Sequence, residues 1–533
     1  MKIEKAIEIA LKNIAKHGDT DVFPFPFERH IFFDKHAESK KVILDIHKGF
    51  ESYLALQTPC TLETLTQVGY TGFRWATQIE PFWNVYYLAL VISVADEIEK
   101  TRSPVDDKYV FSYRYEWDDE NAKLFRDSTW TDYRKRGMEL SKEFEYVVVT
   151  DIADFYPRIY HHRVENALQR LQNCGDTPKR IMVLLGTFSN NVSYGLPVGG
   201  PASRILAELA LVSTDKLLSV RGIKFCRYAD DYSIFCKTKS EAYKLLVTLS
   251  DKLHNEGLAL QKKKTKIITT AEYRETYNLL DPAEASSPLA SEEQKLLNIS
   301  LRYDPYSETA DDDYEALKIA VKDVDIIGIL GREVLKTTID STVAKQAIRA
   351  IHALDNDAKL GAITTLLDEN NLIVLSPVFV TVMRAVRGLY DEMPNHGKEY
   401  IDQALIKLYS SDSHLLSVEL NVSYYIQALS TQRSLQKEEL LIAIFESSTK
   451  PLIKRLIILI MANWKCHYWL SDIKKQYGGF TEWEKRALII ASYELGDEGK
   501  HWRDHVKSSW NTREILVRDW YAERFQSNKS CPL

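Results

Sequence analysis

The sequence predicts an α+β amino-terminal domain followed by an all-α carboxyl-terminal domain. Two apolar, β-prone runs around residues 228–231 predict a β-hairpin, and the β-branched run at residues 146–150 predicts a buried strand. Residues 281–292 are rich in Pro, Ser and Ala, and after them strand-like alternation gives way to helical spacing of apolar residues. We therefore expect one domain over residues 1–285 and a second over residues 286–533.

Length and composition are those of an ordinary soluble protein with more than one domain. The chain has 533 residues, 45% hydrophobic and 27% charged, and a net charge of −6. This charge neither supports nor excludes binding to nucleic acid, because an average over the chain can hide a basic groove. Its six cysteines include no CxxC pair, so reduced thiols and a cytoplasmic location are expected. The apolar run at residues 82–95 contains Asn84 and is too short for a membrane span, so it predicts a buried helix.

Two adjacent carboxylates, Asp230 and Asp231, lie at the turn of the predicted hairpin. Neighbouring side chains of a strand point to opposite faces, whereas at a turn both can reach one centre. Adjacent carboxylates repel each other unless a divalent cation lies beside them, and oxygen ligands suit Mg²⁺ or Mn²⁺. The alternative is a solvated turn, since Asp is common in turns.

A third carboxylate, Asp151, follows the predicted strand at residues 146–150. When a buried strand ends on an Asp and lies beside a hairpin with two further Asp residues, the three carboxylates can hold two metal ions roughly 4 Å apart. Such a pair activates an attacking oxygen and stabilises a leaving pyrophosphate. The three aspartates therefore predict a nucleotidyl-transfer site.

These residues carry a family resemblance. Asp151-Ile152-Ala153-Asp154-Phe155-Tyr156, followed by Tyr228-Ala229-Asp230-Asp231, resembles the palm of a reverse transcriptase. The resemblance implies fingers and a palm, Mg²⁺ or Mn²⁺ as cofactor and deoxynucleotides as substrates. It also implies metal ligation by Asp151, Asp230 and the backbone carbonyl of Ile152, with Asp231 as a further ligand or a tuning group.

Other site residues are expected around these ligands. Tyr156 matches the aromatic that excludes a 2′-hydroxyl, although a core aromatic is an alternative. Lys264 matches a lysine near the leaving pyrophosphate, and the lysine run around it could instead be a solvated nucleic-acid contact. A triphosphate also needs cations. Arg114, at the end of a strand predicted over residues 110–114, is the first candidate, and Lys123 or Arg126 is the second. The remaining expected nucleotide-binding residues are Asp154, Phe155, Gly195, Pro197, Val198 and Gly199.

A narrower resemblance is to the bacterial abortive-infection (Abi) group of reverse transcriptases. Template-copying families usually have Gln where this chain has Val198 and Pro where it has Arg204, and the SRILAEL continuation is similar to the Abi group. The extended segment at residues 18–28, with alternating Pro and Phe, resembles an Abi amino-terminal feature, and its simplest interpretation is a strap packed across the fingers. About 240 residues of helical pattern replace a small thumb, which suggests a HEAT-like array.

The Abi resemblance implies antiphage defence by a polymerase that works without a template. Such enzymes prime on a tyrosine of the protein itself, so a covalently attached single-stranded DNA product is expected, together with a homo-oligomer. The sequence does not identify the priming tyrosine, and Tyr53 is one speculative candidate. Two alternatives remain: a templated reverse transcriptase of the retron or diversity-generating type, and a catalytically idle scaffold for the helical array.

Overall fold

The computed structural model describes residues 1–126, 130–278, 292–298, 321 and 324–533. The chain divides into two compact units. The first consists of Met1–Glu63, Trp75–Tyr277 and Val506–Pro532, and the second of Thr64–Arg74, Asn278–His505 and Leu533. The predicted blocks 1–285 and 286–533 differ from these units, because residues 506–532 return to the first unit and residues 64–74 belong to the second.

Helices surround a small antiparallel sheet in the first unit. The elements up to the sheet are α1 (Ile3–His17), α2 (Glu28–Asp34), α3 (His36–Lys48), α4 (Phe50–Leu56), β1 (Thr61–Val68), β2 (Gly72–Ile79), α5 (Pro81–Thr101), β3 (Tyr115–Asp118), β4 (Lys123–Phe125) and α6 (Trp130–Leu140). The remaining elements of this part of the chain are β5 (Tyr146–Asp151), α7 (Phe155–Arg158), α8 (His161–Gln169), α9 (Thr177–Phe188), α10 (Pro201–Val220), β6 (Lys224–Tyr228), β7 (Asp231–Cys236), α11 (Lys239–Asn255), β8 (Lys266–Thr269) and α12 (Thr270–Asn278).

The four-stranded sheet has the order β6-β7-β5-β8, and every neighbouring pair is antiparallel. Both the hairpin predicted around residues 228–231 and the strand predicted at residues 146–150 are confirmed, as β6–β7 and β5. The core beneath the sheet contains Val147 from β5, Cys226 from β6 and Phe235 from β7, packed with aromatic residues of the flanking segments, Phe111, Tyr133 and Tyr273. The apolar β-branched side chains of β5 thus bury its middle and leave its end to carry Asp151.

Helix α5 is the central buried helix of the first unit. The carboxylate of Glu80 accepts a hydrogen bond from the Trp83 N–H at 2.9 Å, and Pro81 occupies the first turn, so the helix start is capped. Its residues from Pro81 to Ala95 are buried, as the apolar run predicted. No helix in the described part of the chain is long and apolar enough to cross a membrane.

The second unit is helical. Its elements are α13 (Glu292–Asn298), α14 (Ile326–Val334), α15 (Ser341–Ala350), α16 (Asn356–Leu367), α17 (Glu369–Val374), α18 (Phe379–Leu389), α19 (Asn395–Ser410), α20 (Glu419–Leu429), α21 (Leu435–Ser447), α22 (Pro451–Asn463), α23 (His467–Ile473), α24 (Glu482–Ala491) and α25 (Gly496–Val506). Alternate helices pack on each other, α18 on α20, α20 on α22 and α22 on α24. The predicted linker at residues 281–291 lies outside the described residues.

The last helix, α26 (Thr512–Gln526), belongs to the first unit. Arg513 forms a buried ion pair with Glu80 at 3.1 Å, and the Trp520 indole N–H donates to Asp34 at 2.7 Å. The Trp520 ring also stacks on Phe27 at a centroid distance of 5.9 Å. The sequence analysis assigned this helix to the carboxyl-terminal domain, because contacts over more than 400 residues leave no local pattern.

One predicted strand is wrong. Residues 110–114 form only a single bridge, from Val110 to Arg227, and the next strand, β3, begins at Tyr115. Tyr113 has a φ of 44°, in the left-handed region, which ends the extended conformation. The turn directs Arg114 into the interior of the unit, where its side chain is 4% exposed.

Candidate active site

The three aspartates converge at one end of the central strands of the four-stranded sheet, where β5 ends and β7 begins. Asp151 ends β5, and it is the direct register partner of Asp231, the first residue of β7. The Ile152 N–H donates to the Asp230 carbonyl at 3.2 Å, which fixes the strand end against the hairpin turn. The structure therefore brings together the carboxylates that the sequence placed on two separate segments.

The turn between β6 and β7 is tight. Tyr228 and Asp231 are register partners, so only Ala229 and Asp230 lie between the strands. Ala229 has a φ of 51°, as a two-residue hairpin turn requires. The Arg227 guanidinium donates to the Ala229 carbonyl at 2.7 Å and so supports the turn from below. Asp230 is thereby held at the tip of the hairpin.

The site concentrates negative charge in a partly dehydrated place. Burial and the neighbouring Asp151 raise the pKa of Asp230 to about 7, and the same two causes raise the pKa of Asp231 to about 6. Lys264 donates through Nζ to Oδ2 of Asp151, and its charge partly offsets the shift at Asp231. Too little positive charge therefore surrounds the carboxyl groups of Asp230 and Asp231 to hold their pKa values in the ordinary range.

The donor set fits a divalent cation. Oδ1 of Asp151 is buried and has no hydrogen-bond partner, which is costly for a carboxylate oxygen unless a cation lies beside it. Carboxylate oxygens are the ligands that Mg²⁺ and Mn²⁺ prefer. No group of three or more His, Cys, Asp and Glu side chains within the described ranges is already arranged to hold a metal ion. The expected ligand set consists instead of Asp151 and Asp230 with the carbonyl of Ile152.

A buried charge network lies beneath the hairpin, and the sequence analysis missed it. Arg227 pairs with Glu208 at 2.8 Å and with Asp215 at 2.6 Å, and all three side chains are at most 4% exposed. Glu208 also accepts hydrogen bonds from Arg102 at 2.7 Å and from the Ser112 hydroxyl at 2.5 Å. Charged residues inside the apolar runs FCRYADD and SRILAEL were the available signal.

The segment after Asp151 supplies the predicted aromatic residues. Asp154 is exposed and has a φ of 47°, and Phe155 after it is buried. The Phe155 ring packs edge-on against Tyr156 at a centroid distance of 5.5 Å. Burial raises the pKa of Tyr156 well above its ordinary value, and the nearby Tyr113 adds to that shift. Tyr156 thus stays a neutral phenol, close enough to Asp230 to experience its charge.

The glycine-rich loop before α10 is attached to this aromatic segment. The Leu196 N–H donates to the Tyr156 carbonyl at 3.0 Å, and the ring of His161 donates from Nε2 to the Gly195 carbonyl at 2.7 Å. His161 therefore positions the loop. Pro197 and Val198 in the same loop are buried.

Gly199 allows a close approach by the amino-terminal strap. Its φ is 112°, and a Cβ atom there would lie 2.4 Å from the Thr20 hydroxyl oxygen. Next to it, Arg204 pairs with Asp21 at 2.6 Å, and its guanidinium lies 5.2 Å from the Tyr113 ring centroid. Arg204 is thus the cation beside the Tyr113 and Tyr156 rings.

Two of the cations expected to contact the triphosphate, Arg114 and Lys123, lie away from the aspartates. Arg114 donates to Glu99 and to the carbonyls of Ser103 and Val110, so its donors are used inside the unit and the expected triphosphate contact is not supported. Lys123 lies on β4 opposite Asp118, in the β3–β4 pair. A charged residue after an apolar run can contact a ligand or form a buried pair, and only the tertiary structure distinguishes the two.

Comparison with known proteins agrees with this geometry. A family model described as reverse transcriptase (RNA-dependent DNA polymerase) matches residues 106–303, which include β5, the hairpin and Lys264. No curated protein sequence is significantly similar to the chain.

Two solved structures resemble the chain weakly. The apo telomerase of Candida tropicalis has 11% identity, a TM-score of 0.28 and coverage of 65% of this chain and 72% of that one. The telomerase of Candida albicans with a fragment of telomeric RNA has 10% identity, a TM-score of 0.31 and coverage of 82% and 66%, respectively. Neither score is high enough to compare sites. The family match and the three converging aspartates agree, and the protein therefore carries a reverse transcriptase domain, a nucleotidyltransferase domain.

Proposed function

We propose that this protein is a DNA polymerase of antiphage defence that extends a tyrosine of its own chain with deoxynucleotides, without copying a template. The observation that carries the polymerase assignment is the convergence of Asp151, Asp230 and Asp231 beside Lys264. The finer assignment rests on the Abi resemblance, in which Val198 and Arg204 replace the residues usual in template-copying enzymes. A cytoplasmic homo-oligomer and a HEAT-like second unit belong to the same proposal.

The chemistry transfers a nucleotide to a hydroxyl. The oxygen of a tyrosine, or of the growing 3′ end, forms a bond to the α-phosphorus of a deoxynucleoside triphosphate while the bond to pyrophosphate breaks. Divalent ions held by Asp151, Asp230 and the Ile152 carbonyl would activate the attacking oxygen and neutralise the leaving group. Because the carboxylates of Asp151 and Asp230 lie close together here, the chain supplies the ligands and the ions would supply the positive charge between them.

Other residues have separate roles in this proposal. Lys264 is a cation beside Asp151, placed to neutralise or protonate the leaving pyrophosphate. Tyr156, held by Phe155 and by the Leu196 N–H, excludes a 2′-hydroxyl by contact with the sugar. The network of Glu208, Arg227 and Asp215 positions the hairpin and does not touch the substrate.

The arrangement of the glycine-rich loop supports untemplated synthesis. The strap from Thr20 to Val22 packs against Gly199, and Asp21 engages Arg204. In the resembling families this loop packs against the templating base and the incoming nucleotide. Here the chain's own strap already covers this loop. Such an arrangement suits an enzyme that does not bind a template at the loop.

The test uses purified protein, labelled deoxynucleotides and Mg²⁺ or Mn²⁺, with no primer or template. Denaturing gels with and without protease then report where the label lies. Label that migrates with the protein, and is released as DNA by protease, supports the proposal, and mass spectrometry of the modified peptide identifies the tyrosine. The Asp230→Asn variant serves as the control and is expected to lose all labelling.

A second candidate is a templated reverse transcriptase, which the matching family's description as an RNA-dependent DNA polymerase favours. Labelling that appears only after addition of an RNA and a primer, with a product complementary to that RNA, would replace the first proposal by this one. A folded Asp230→Asn variant that still protects cells against phage would instead indicate a scaffold.

A further inference from the structure

Four cations of the second unit lie next to each other on three elements. Lys345 and Arg349 are one turn apart on α15, so both occupy one face of that helix. Arg384 lies on α18, which packs against α15, and Arg74 lies on β2 within the hairpin segment that belongs to this unit. All four side chains are on the surface of the unit. We call Arg74, Lys345, Arg349 and Arg384 the basic patch.

The basic patch is a cluster of like charges with no paired carboxylate among the described residues. Burial and the charges of Arg349 and Arg74 lower the pKa of Lys345, and burial and the charge of Arg384 lower the pKa of Arg349. Within residues 324–533 and the hairpin segment 64–74, no ion pair joins any of the four to an acidic side chain. Like charges one turn apart destabilise a helix, so the proximity of Lys345 and Arg349 lowers the stability of α15.

Other cations of the same unit show the contrast. Lys407 pairs with Glu369 at 2.9 Å, Lys450 with Glu419 at 3.4 Å and Lys475 with Asp472 at 2.7 Å. Paired cations are the ordinary arrangement in a chain whose net charge is −6. The basic patch is therefore a local departure from the charge pattern around it.

One member of the patch is held in place by a neutral group. Arg384 donates to the Tyr424 hydroxyl at 2.5 Å, and its guanidinium lies 4.7 Å from the centroid of that ring. A tyrosine fixes the orientation of the guanidinium without neutralising its charge. The remaining donors of Arg384 therefore stay available for an anion.

We propose that the basic patch binds single-stranded DNA through its phosphate backbone. Several cations spread over three elements suit a chain of phosphates better than one isolated anion, since each phosphate can be neutralised in turn. Arg and Lys both bind phosphate, and a row that includes three Arg can contact phosphate oxygens in a bidentate way. The choice of DNA rests on the proposed function, whose product is single-stranded DNA.

The test measures binding directly and needs no catalysis. Fluorescence anisotropy of a labelled oligodeoxythymidine is recorded with the full-length protein in EDTA, over a series of KCl concentrations. The test variant is R74Q/K345Q/R349Q/R384Q. The control variant, R332Q/K407Q/K450Q/K475Q, removes the same formal charge from cations of the same unit that are paired with carboxylates.

The basic-patch variant is expected to bind at least about tenfold more weakly at 100 mM KCl. Its plot of log affinity against log salt is expected to be shallower by about 3, because each phosphate contact on a single strand contributes roughly 0.7 to that slope. The control variant is expected to keep the slope of the unchanged protein. Equal losses in the two variants, or no loss in the first, would overturn the proposal.

Two further measurements separate the possible ligands. If the basic-patch variant loses binding to polyglutamate but keeps its affinity for the oligodeoxythymidine, the partner is an acidic protein and the proposal is wrong. If an RNA of equal length binds the unchanged protein tenfold more tightly than DNA, the ligand is RNA and the choice of DNA is overturned. Since binding is measured without metal, a failure here is distinct from a failure of the labelling test.

Discussion

Lys264 donates a hydrogen bond from Nζ to Oδ2 of Asp151, the carboxylate at the end of the central strand. The Lys264 side chain is 67% exposed, whereas that of Asp151 is 9% exposed, so a surface cation pairs with a buried anion. Removal of the lysine leaves Asp151 beside the two aspartates of the hairpin, with no other ion pair to it among the described residues. In the proposed mechanism this pair links the leaving-group side of the site to the metal ligands.

We expect Lys264→Ala to lower the rate of nucleotide addition about 10²-fold, because a general acid or charge neutraliser is lost. We also expect the variant to bind Mn²⁺ no more weakly than the unchanged protein, because the lysine competes with the metal for Asp151. Single-turnover labelling and a thermal-shift titration with Mn²⁺ check the two expectations. Full activity in Lys264→Ala would assign the lysine to a solvated surface.

Tyr156 is expected to exclude ribonucleotides through its ring. Tyr156→Ala removes the ring and should lower discrimination between deoxynucleotides and ribonucleotides by about tenfold or more. Tyr156→Phe keeps the ring and serves as the matched control, with discrimination retained. The measurement is the ratio of kcat/KM for the two sugars with the same base. A ratio that does not change in the alanine variant would show that Tyr156 only packs in the core.

Glu208 is expected to be essential for stability, because it neutralises two buried guanidinium groups, Arg102 and Arg227. Glu208→Gln leaves these charges without their partner and should destabilise the fold by ~3 kcal/mol or more. The control is Glu97→Gln, which breaks an exposed pair with Lys100 and should cost much less stability. Denaturant unfolding measures the free energy of unfolding of both variants. Equal stabilities would show that the buried network does not stabilise the fold around the site.

Folding stability should depend on pH through His30. Burial, with the charges of Arg29 and Arg524, lowers the pKa of this imidazole to about 4 in the folded protein, from an ordinary value near 6.5. The unfolded chain therefore binds more protons between these values, and stability rises as the pH rises from 4 to 6.5. The difference between pH 5 and pH 7 is about 2 kcal/mol for this residue. His30→Gln should flatten that part of the curve, measured by denaturant unfolding at several pH values, and an unchanged slope would contradict the assignment.

The sequence indicated the catalytic elements because their patterns are local. An apolar β-branched run that ends on Asp151, and a hairpin with two aspartates at its turn, need only neighbouring residues to be recognised. The buried helix α5 and the helix opened by the glycine-rich loop were predictable for the same reason. These elements define the end of the sheet where the aspartates meet.

Tertiary contacts decided the rest. Arg114 looked available for a triphosphate, yet Glu99 and two carbonyls use its donors, and no local pattern distinguishes a buried arginine from an exposed one. Arg227 and Glu208 are adjacent only because α10 lies behind the hairpin.

The sequence by itself determined the candidate catalytic residues, Asp151, Asp230 and Asp231, because residue type and strand periodicity are properties of short segments. The tertiary structure alone decided which ion pairs form between segments far apart in the chain, Lys264 with Asp151 and Arg204 with Asp21. It also decided that α26 belongs with the amino-terminal helices. The physical reason is that an ion pair or a packed aromatic has a direction and a distance in space, and neither is written in the order of the residues.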